Sequence, residues 1–512
     1  MSFHVENFGC RAARADGEAV SDRLRFAGLC EQKPSAADVV VVNTCSVTAE
    51  ADRAARAFIR RTHRLNPNAK IVVTGCYAQR SPEELAGLAG VAAVVGNSHK
   101  GMAPEIILGL ANGRLPTGLP ELVSPALVRV ETLTAGAASA PIWADDHFAH
   151  SFLEEAQLVP GAQTRPNLKI QEGCGNRCSF CVIPQTRGSS KSLPAASVLK
   201  QVEGFVAAGG KELVLSGINL GRWGRDLTRA FGLPTLATEK SRKDGAPTSW
   251  GGNEKDEAPC TLAGLVRQIF ARTQLPRLRL SSIEPMDWDA ELIGLMAEFG
   301  RSSDGKARLA RHAHLPLQSG SDGVLRRMHR RYRPWHYVEK VEALVRAAGP
   351  ELTLGADVMA GFPGETDAEF EETLALVRAL PFGYLHLFPF SPRPGTRAWE
   401  LHAAQPVRAA VVEERMAALR ALAAEKSKSH RSSFVGRELE AITLHTPAEM
   451  AARGRTAAMT ENFIPVEIEG KIAANQLVRT RISGLTAEGA LEAAVHDDAE
   501  TVLSSPVHLP ER

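Results

Sequence analysis

The sequence predicts an α/β protein in which two parallel-sheet units are followed by a small carboxy-terminal β-barrel. Three observations carry that expectation. Short apolar runs at 38–42 and 71–73 flank a stretch of helical periodicity at 50–65, the β, α, β order of a parallel crossover. From about 165 to 390, short apolar runs (212–216, 277–281, 352–356) alternate with amphipathic stretches, which implies a second parallel sheet. From 434 to 495 the pattern changes to the period-two alternation of strands.

The composition is that of a globular protein. With a formal net charge of +2, it neither demands nor excludes a nucleic-acid partner, so local clusters must decide. No apolar run approaches the roughly 18 residues that span a bilayer, and the first residues lack a basic segment followed by an apolar one. The expectation is a cytoplasmic protein with no membrane contact. Eight cysteines are too few for a disulfide scaffold in a chain of 512 residues, and a reducing compartment leaves them available for metal.

In the first unit Cys45 follows Asn43-Thr44, Cys76 follows Thr74-Gly75, and Cys10 follows Phe8-Gly9. The carboxyl ends of parallel strands face one crevice, so these three cysteines can converge although distant in sequence. Taken alone, three scattered cysteines read more often as small buried apolar residues than as ligands. Cys30 and Cys260 belong to no such pattern, Cys30 reading as loop or core filler.

In the second unit Cys174, Cys178 and Cys181 stand in the run Gly-Cys-Gly-Asn-Arg-Cys-Ser-Phe-Cys. Three thiolates this close can hold three corners of one cubane, leaving a fourth iron open to a cofactor. A structural zinc site normally takes four ligands in paired elbows. No further cysteine or histidine lies between 170 and 210. Barrel active sites lie on loops after strands. Ser216-Gly217-Ile218-Asn219, 281–285 and 314–321 occupy such places.

The Cys-x3-Cys-x2-Cys spacing, with Phe180 before the last cysteine, resembles the radical S-adenosylmethionine (SAM) superfamily. Asn43-Thr-Cys-Ser-Val-Thr-Ala-Glu-Ala-Asp-Arg and Val73-Thr-Gly-Cys-Tyr-Ala-Gln resemble the amino-terminal domain of the methylthiotransferases. Thr460-Glu-Asn-Phe463, followed by Pro465-Val-Glu-Ile, resembles the TRAM domain, an OB-like barrel that binds tRNA. The resemblance covers nearly the whole chain. It implies a Rossmann-like domain at 1–129, a linker at 130–164, and a partial (β/α)6 radical SAM barrel at 165–400 with a polar insertion at 224–259. A helical connector at 401–430 and a TRAM barrel at 431–505 complete the expected order.

The resemblance further implies two [4Fe–4S] clusters, one on Cys174, Cys178 and Cys181 with SAM on its open iron, and an auxiliary one on Cys10, Cys45 and Cys76. Phe180, Ser216, Gly217, Asn219, Gln318, Ser319 and Asp357 are the implied SAM contacts, with 357–365 lining the adenine. The chain departs from the family at Ala12-Ala13-Arg14-Ala15, where an asparagine and a glutamine are usual. The segment 386–396 is a further match, read as a rigid proline-rich loop with Arg393 facing phosphate.

Two basic patches, Arg53, Arg56, Arg60, Arg61 and Arg64, and Arg326, Arg327, Arg330, Arg331 and Arg333, read with the terminal barrel as an RNA footprint. Phe463 reads as either a base-stacking or a core residue. The family's chemistry suits adenine C2, whose hydrogen is neither acidic nor attached beside a leaving group. One SAM methylates sulfur on the auxiliary cluster, and a second is reductively cleaved to a radical that opens C2 to methylthiolation. An unpaired anticodon loop presents the base at little cost. An electron donor such as flavodoxin or ferredoxin is implied.

The wording at 48–53, 73–79 and 280–285 most resembles the branch acting on N6-threonylcarbamoyladenosine at position 37 of tRNA. Branches acting on N6-isopentenyladenosine or on a ribosomal protein aspartate are the alternatives. An iron–sulfur electron-transfer or scaffold protein and a zinc-binding RNA module are the readings of other classes.

Overall fold

The computed structural model of the chain describes residues 1–9, 11–111, 140–148, 153, 165–230, 261–300 and 307–495. Cys10, Cys260, most of the expected linker and 231–259 of the expected insertion lie outside the described residues.

The amino-terminal sheet is parallel, with strands β1 (Ser2–Asn7), β2 (Cys30–Glu31), β3 (Val39–Thr44), β4 (Lys70–Gly75), β5 (Val91–Gly96) and β6 (Ile142–Trp143) in the order β2-β1-β3-β4-β5-β6. Helices cover both faces, so β3 is an unbroken buried run, Val-Val-Val-Val-Asn-Thr. Val40 and Val42 pack on one face with Ile71 and Val73, and Val39 and Val41 on the other with Phe3 and Val72. The crossover helix Ala49–Leu65 starts at Thr48, whose hydroxyl accepts from the Ala51 N–H at 3.2 Å. It buries Asp52, Ala55, Ile59 and Thr62 at helical spacing. Part of the expected linker belongs to this sheet, because Ile142 and Trp143 pair along the open edge of β5.

The second unit contains β7 (Asn167–Glu172), the short antiparallel β8 (Lys191–Ser192), β9 (Glu212–Gly217), β10 (Arg277–Leu280), β11 (His312–His314), β12 (Thr353–Ala360) and β13 (Phe382–Pro389). Strands β7, β9 and β10 pair in parallel, as do β11, β12 and β13, and a bridge from Leu278 to Leu309 joins the two groups. Six parallel strands in sequence order thus make a partial barrel, with β13 on one edge. The expected loop at 386–396 is corrected here: His386 to Pro389 complete β13, and the irregular segment begins at Phe390. Pro389 is tolerated because it ends a strand whose outer edge requires no N–H donor.

The expected insertion begins in ordered structure. Helix Arg225–Ala230 is fixed by Asp226, which accepts from the Ser192 N–H at 2.8 Å.

A helix at Ala409–Ser432 leads to a closed barrel of β14 (Glu438–Thr443), β15 (Arg455–Thr460), β16 (Pro465–Glu469), β17 (Leu477–Leu485) and β18 (Leu491–Val495). It docks under the larger barrel through buried charge. Glu212 accepts from Arg279 Nε at 2.9 Å and from Arg277 Nη1 at 3.2 Å, all three residues being fully buried. Arg277 also reaches Glu440, Arg311 reaches Glu461, and Arg279 Nη2 donates to the Thr460 carbonyl at 3.2 Å. Phe463, with φ of +68°, packs against the His312 and Tyr384 rings and lies beneath the Arg279 guanidinium. It is therefore part of the joint between barrels rather than a base-stacking platform.

Burial alone would raise the Glu212 carboxyl, but Arg279, Arg277 and Arg165 outweigh it and hold the group down to about 2. A carboxylate held below its unfolded value stabilises the fold above that value, near 4.5, and loses the contribution as pH falls toward about 2. Glu212→Gln leaves two buried guanidinium groups short of a counter-charge and should cost about 3–5 kcal/mol at neutral pH. Urea titration at pH 7 and near pH 3 checks this: the gap between wild type and variant should narrow at the lower pH.

Candidate active site

Cys174, Cys178 and Cys181 lie in the loop that leaves β7, and backbone bonds from three directions fix that loop. The Cys174 N–H donates to the Gly188 carbonyl at 3.1 Å, and the Cys181 N–H to the Cys178 carbonyl at 3.2 Å. Ser179 donates from its N–H to Met328 at 3.0 Å and from its hydroxyl to Arg327 at 2.8 Å, and its carbonyl accepts from the Ala398 N–H at 2.8 Å. Phe180 packs, half-buried, against the barrel core.

N–H groups point at all three sulfurs, that of Ile183 at Cys181. Cys174 Sγ accepts from the Asn176 N–H at 3.4 Å and from Asn219 Nδ2 at 3.5 Å, and Cys178 Sγ accepts from Arg330 Nη1 at 3.3 Å. Burial raises the Cys174 thiol and pushes Cys181 up to about 12. Thiols so placed ionise when a metal binds, and donors aimed at sulfur suit the thiolates that result. The residues present therefore fit a three-cysteine cluster.

Around this loop the expected SAM contacts separate into two groups. Asn219 borders the cysteines directly, its N–H also donating to Gln171 Oε1 at 2.7 Å beside Gly217. Gln318 has φ of +63° and is pinned from both sides, donating to the Asp357 carbonyl and accepting from the Met359 N–H, both at 2.8 Å. Ser216 and Ser319 are both buried, with hydroxyls turned to the Leu168 carbonyl at 3.4 Å and to Thr373 Oγ1 at 3.1 Å, which leaves their backbone for any cofactor contact. They shape the turns that carry Gly217 and Gln318.

Asp357 lies within β12 between two histidines from the neighbouring strands. His314 Nε2 and His386 Nδ1 each approach Asp357 Oδ1 at 3.3 Å. Burial would raise the carboxyl, yet those two contacts hold it below the usual carboxylate range. Tyr384 stacks on His314 and also meets His386, so this wall is both aromatic and polar.

The amino-terminal cysteines meet the same region from the other side. The pairing of Thr44 with Gly75 sets Cys45 and Cys76 side by side at the ends of β3 and β4, both buried. Gly9, with φ of +112°, brings the chain against Cys45, since a Cβ at residue 9 would lie 2.7 Å from its sulfur. Cys10 is the next residue in sequence and lies outside the described residues; Cys30 is exposed on an edge strand and takes no part.

Cys76 Sγ accepts from Asn97 Nδ2 at 3.3 Å and from Arg187 Nε at 3.2 Å. Arg187 is fully buried and also donates from Nη1 to Asp16 Oδ2 at 3.0 Å and Glu172 Oε1 at 2.5 Å. Lys169 donates to Glu172 at 2.7 Å and also pairs with Asp16, while Lys100 pairs with Glu172.

Sequence reasoning missed this network. Its only signal was proximity, Glu172 two residues before Cys174 and Arg187 six after Cys181, and charges beside a motif usually face water.

The basic clusters also divide. Arg53, Arg60, Arg61 and Arg64 are exposed on one helix, whereas Arg56 bonds to Tyr77 and pairs with Glu84 at 3.1 Å. The second cluster divides as well: Arg330 is buried with Glu284, Arg327 and Arg333 are half-buried beside Glu369 and Asp322, and Arg326 and Arg331 are exposed while pairing with Asp322 and Asp287. Arg393 is corrected. It is buried and donates to Asp52 Oδ2 at 2.7 Å, joining the second unit to the crossover helix instead of facing phosphate.

Residues 2–96 match the family described as Uncharacterized protein family UPF0004, and residues 168–377 match the Radical SAM superfamily, which implies a [4Fe–4S] cluster and SAM. The chain is 32% identical to the threonylcarbamoyladenosine tRNA methylthiotransferase MtaB of Bacillus subtilis over 92% of this chain and 90% of that protein. It is 30% identical to a tRNA-2-methylthio-N(6)-dimethylallyladenosine synthase of Cereibacter sphaeroides, over 94% of this chain and 95% of that one. A solved radical SAM methyltransferase, TsrM from Kitasatospora setae, is similar at 16% identity and a TM-score of 0.49, covering 78% of this chain and 74% of that one. No helix among the described residues is long and apolar enough to cross a membrane. With its two cysteine-bearing units and full-length relatives, the chain belongs to the radical SAM methylthiotransferase family and is an enzyme that modifies tRNA.

Proposed function

We propose that the enzyme places a methylthio group on C2 of N6-threonylcarbamoyladenosine at position 37 of tRNA, in the anticodon loop, forming 2-methylthio-N6-threonylcarbamoyladenosine. The observation that carries this reading is the meeting of two cysteine groups across one seam, in a chain whose relatives include several threonylcarbamoyladenosine methylthiotransferases. Cys174, Cys178 and Cys181 would hold the cluster that binds SAM. Cys45 and Cys76, with Cys10, would hold a second [4Fe–4S] cluster at the sulfur-bearing side.

Bound there, the two clusters and SAM supply one-electron reduction, a carbon radical and methylated sulfur. The chain supplies position. Asn176, Asn219 and Arg330 direct N–H groups at the first cysteine group, and Asn97 and Arg187 direct theirs at Cys76. Gly217, Asn219, Gln318, Asp357 and Phe180 are the SAM-side residues on this reading, while Ser216 and Ser319 act by holding the turns. The terminal barrel and the exposed arginines at 53, 60, 61 and 64 would carry the tRNA backbone. A small electron-transfer protein such as flavodoxin or ferredoxin would deliver electrons, and the setting is cytoplasmic.

The second reading is N6-dimethylallyladenosine as substrate, favoured by the Cereibacter relative.

Two outcomes are expected. Anaerobically reconstituted protein should contain two clusters, and Cys76→Ala and Cys178→Ala should each remove one while far-UV circular dichroism stays unchanged; a single cluster in wild type would refute the two-site assignment. Expression in a bacterial strain lacking its own threonylcarbamoyladenosine methylthiotransferase should restore 2-methylthio-N6-threonylcarbamoyladenosine to digested tRNA, read by mass spectrometry, with Cys178→Ala restoring none. If the dimethylallyl nucleoside is methylthiolated instead, the second reading replaces the first.

A further inference from the structure

We propose that Arg187 is a positioning residue for the amino-terminal cysteine site. With Asn97 it fixes the Cys76 sulfur relative to the Cys174–Cys181 loop. The inference rests on the two-cluster reading and assigns a role to a residue outside both cysteine groups.

The first argument is contact. Three cations, Lys100, Lys169 and Arg187, are gathered with two carboxylates, Asp16 and Glu172. The Arg187 guanidinium directs Nε at Cys76 Sγ, at 3.2 Å, while Nη1 serves both carboxylates. A guanidinium gripped by two carboxylates has little freedom to turn, so the N–H it aims at Cys76 is fixed in direction.

The second argument is geometry. Both donors to Cys76 are fastened to one short helix, Ile183–Arg187. Arg187 is its last residue, and Asn97 Nδ2 donates to the Thr186 carbonyl at 2.8 Å as well as to Cys76. The helix starts two residues after Cys181, and its five residues rise about 7.5 Å. From the other direction, Glu172 grips Arg187 two residues before Cys174. The two cysteine sites are therefore spaced by a rigid element tied at both ends, which a base reacting at both sites would require.

Hydrogen bonds to cluster sulfurs also tune reduction potential, because N–H···S contacts stabilise the more negative, reduced state. Loss of the Arg187 charge would itself move the potential, whereas Asn97→Ala alters no charge and so reports the lost N–H···S contact.

The test uses full-length, reconstituted protein carrying Cys178→Ala, so that only the amino-terminal cluster remains, with EPR-monitored redox titration as readout. Arg187→Met should shift the midpoint to more negative potential, Arg187→Lys should recover part of the shift, and Asn97→Ala should shift it in the same direction. In the otherwise wild-type enzyme, Arg187→Met should lower kcat about 10–100-fold with little change in KM for tRNA. A midpoint unmoved in both Arg187→Met and Asn97→Ala, with iron retained, overturns the proposal. If Arg187→Met does not fold, the Asn97→Ala titration alone decides. If the Cys178→Ala protein holds no cluster at all, the two-cluster reading fails, and the role of Arg187 with it; a cluster present with an unmoved potential counts against Arg187 alone.

Discussion

The buried ion network of Asp16, Lys100, Lys169, Glu172 and Arg187 is the constraint on which the rest of the site depends. Its members come from both units: Asp16 and Lys100 from the amino-terminal one, Lys169, Glu172 and Arg187 from the barrel. Such a network is poor evidence of net stability, because well-packed apolar side chains can do as well without desolvating charge. Its worth lies in direction. Apolar surfaces slide past one another at little cost, whereas a guanidinium bonded to two carboxylates and a sulfur has one acceptable arrangement. Glu172 is the pivot, being both the last residue of β7 and the anion that receives Arg187 and both lysines.

A second seam and the barrel floor repeat the device. Asp52 receives Arg393 and Arg80, and the Ala49 N–H donates to Ser391 Oγ at 3.1 Å, so the crossover helix is pinned to the segment after β13. Below, Glu212 and its arginines hold the terminal barrel against β9 and β10. Arginine thus serves this chain mainly as an internal fastener. Residue type alone cannot separate these from surface arginines: half-buried Arg56 and buried Arg330 have partners inside the fold, whereas Arg326, Arg331 and four arginines of the crossover helix are exposed.

The parts of the fold legible in the sequence were those in which one-dimensional pattern and three-dimensional environment coincide. The valine run of β3 is apolar on both faces because both are covered, and the crossover helix repeats at 3.6 residues because one face is. The Cys174–Cys181 spacing was legible for the same reason, since ligands supplied by one loop must be close in sequence. Cys45 and Cys76 required the parallel-strand argument and a resemblance. Arg187 escaped because its partners, Cys76 and Asp16, lie 111 and 171 residues away. Ser216 and Ser319 were placed on the right turns, but the rotation that turns each hydroxyl into the core depends on packing. The strand at 142–143 escaped because two apolar residues carry no periodicity.

The polar wall of β11 to β13 is engaged mostly with itself. Asp357 Oδ1 lies 3.3 Å from both His314 Nε2 and His386 Nδ1, and the Tyr384 hydroxyl lies 2.8 Å from His312 Nε2. Buried polar groups that find partners inside the fold hold their strands in register as well as satisfying their own hydrogen bonding. Phe463 packs on the rings of His312 and Tyr384, so the side chains that order this wall are also the ones on which the terminal barrel rests.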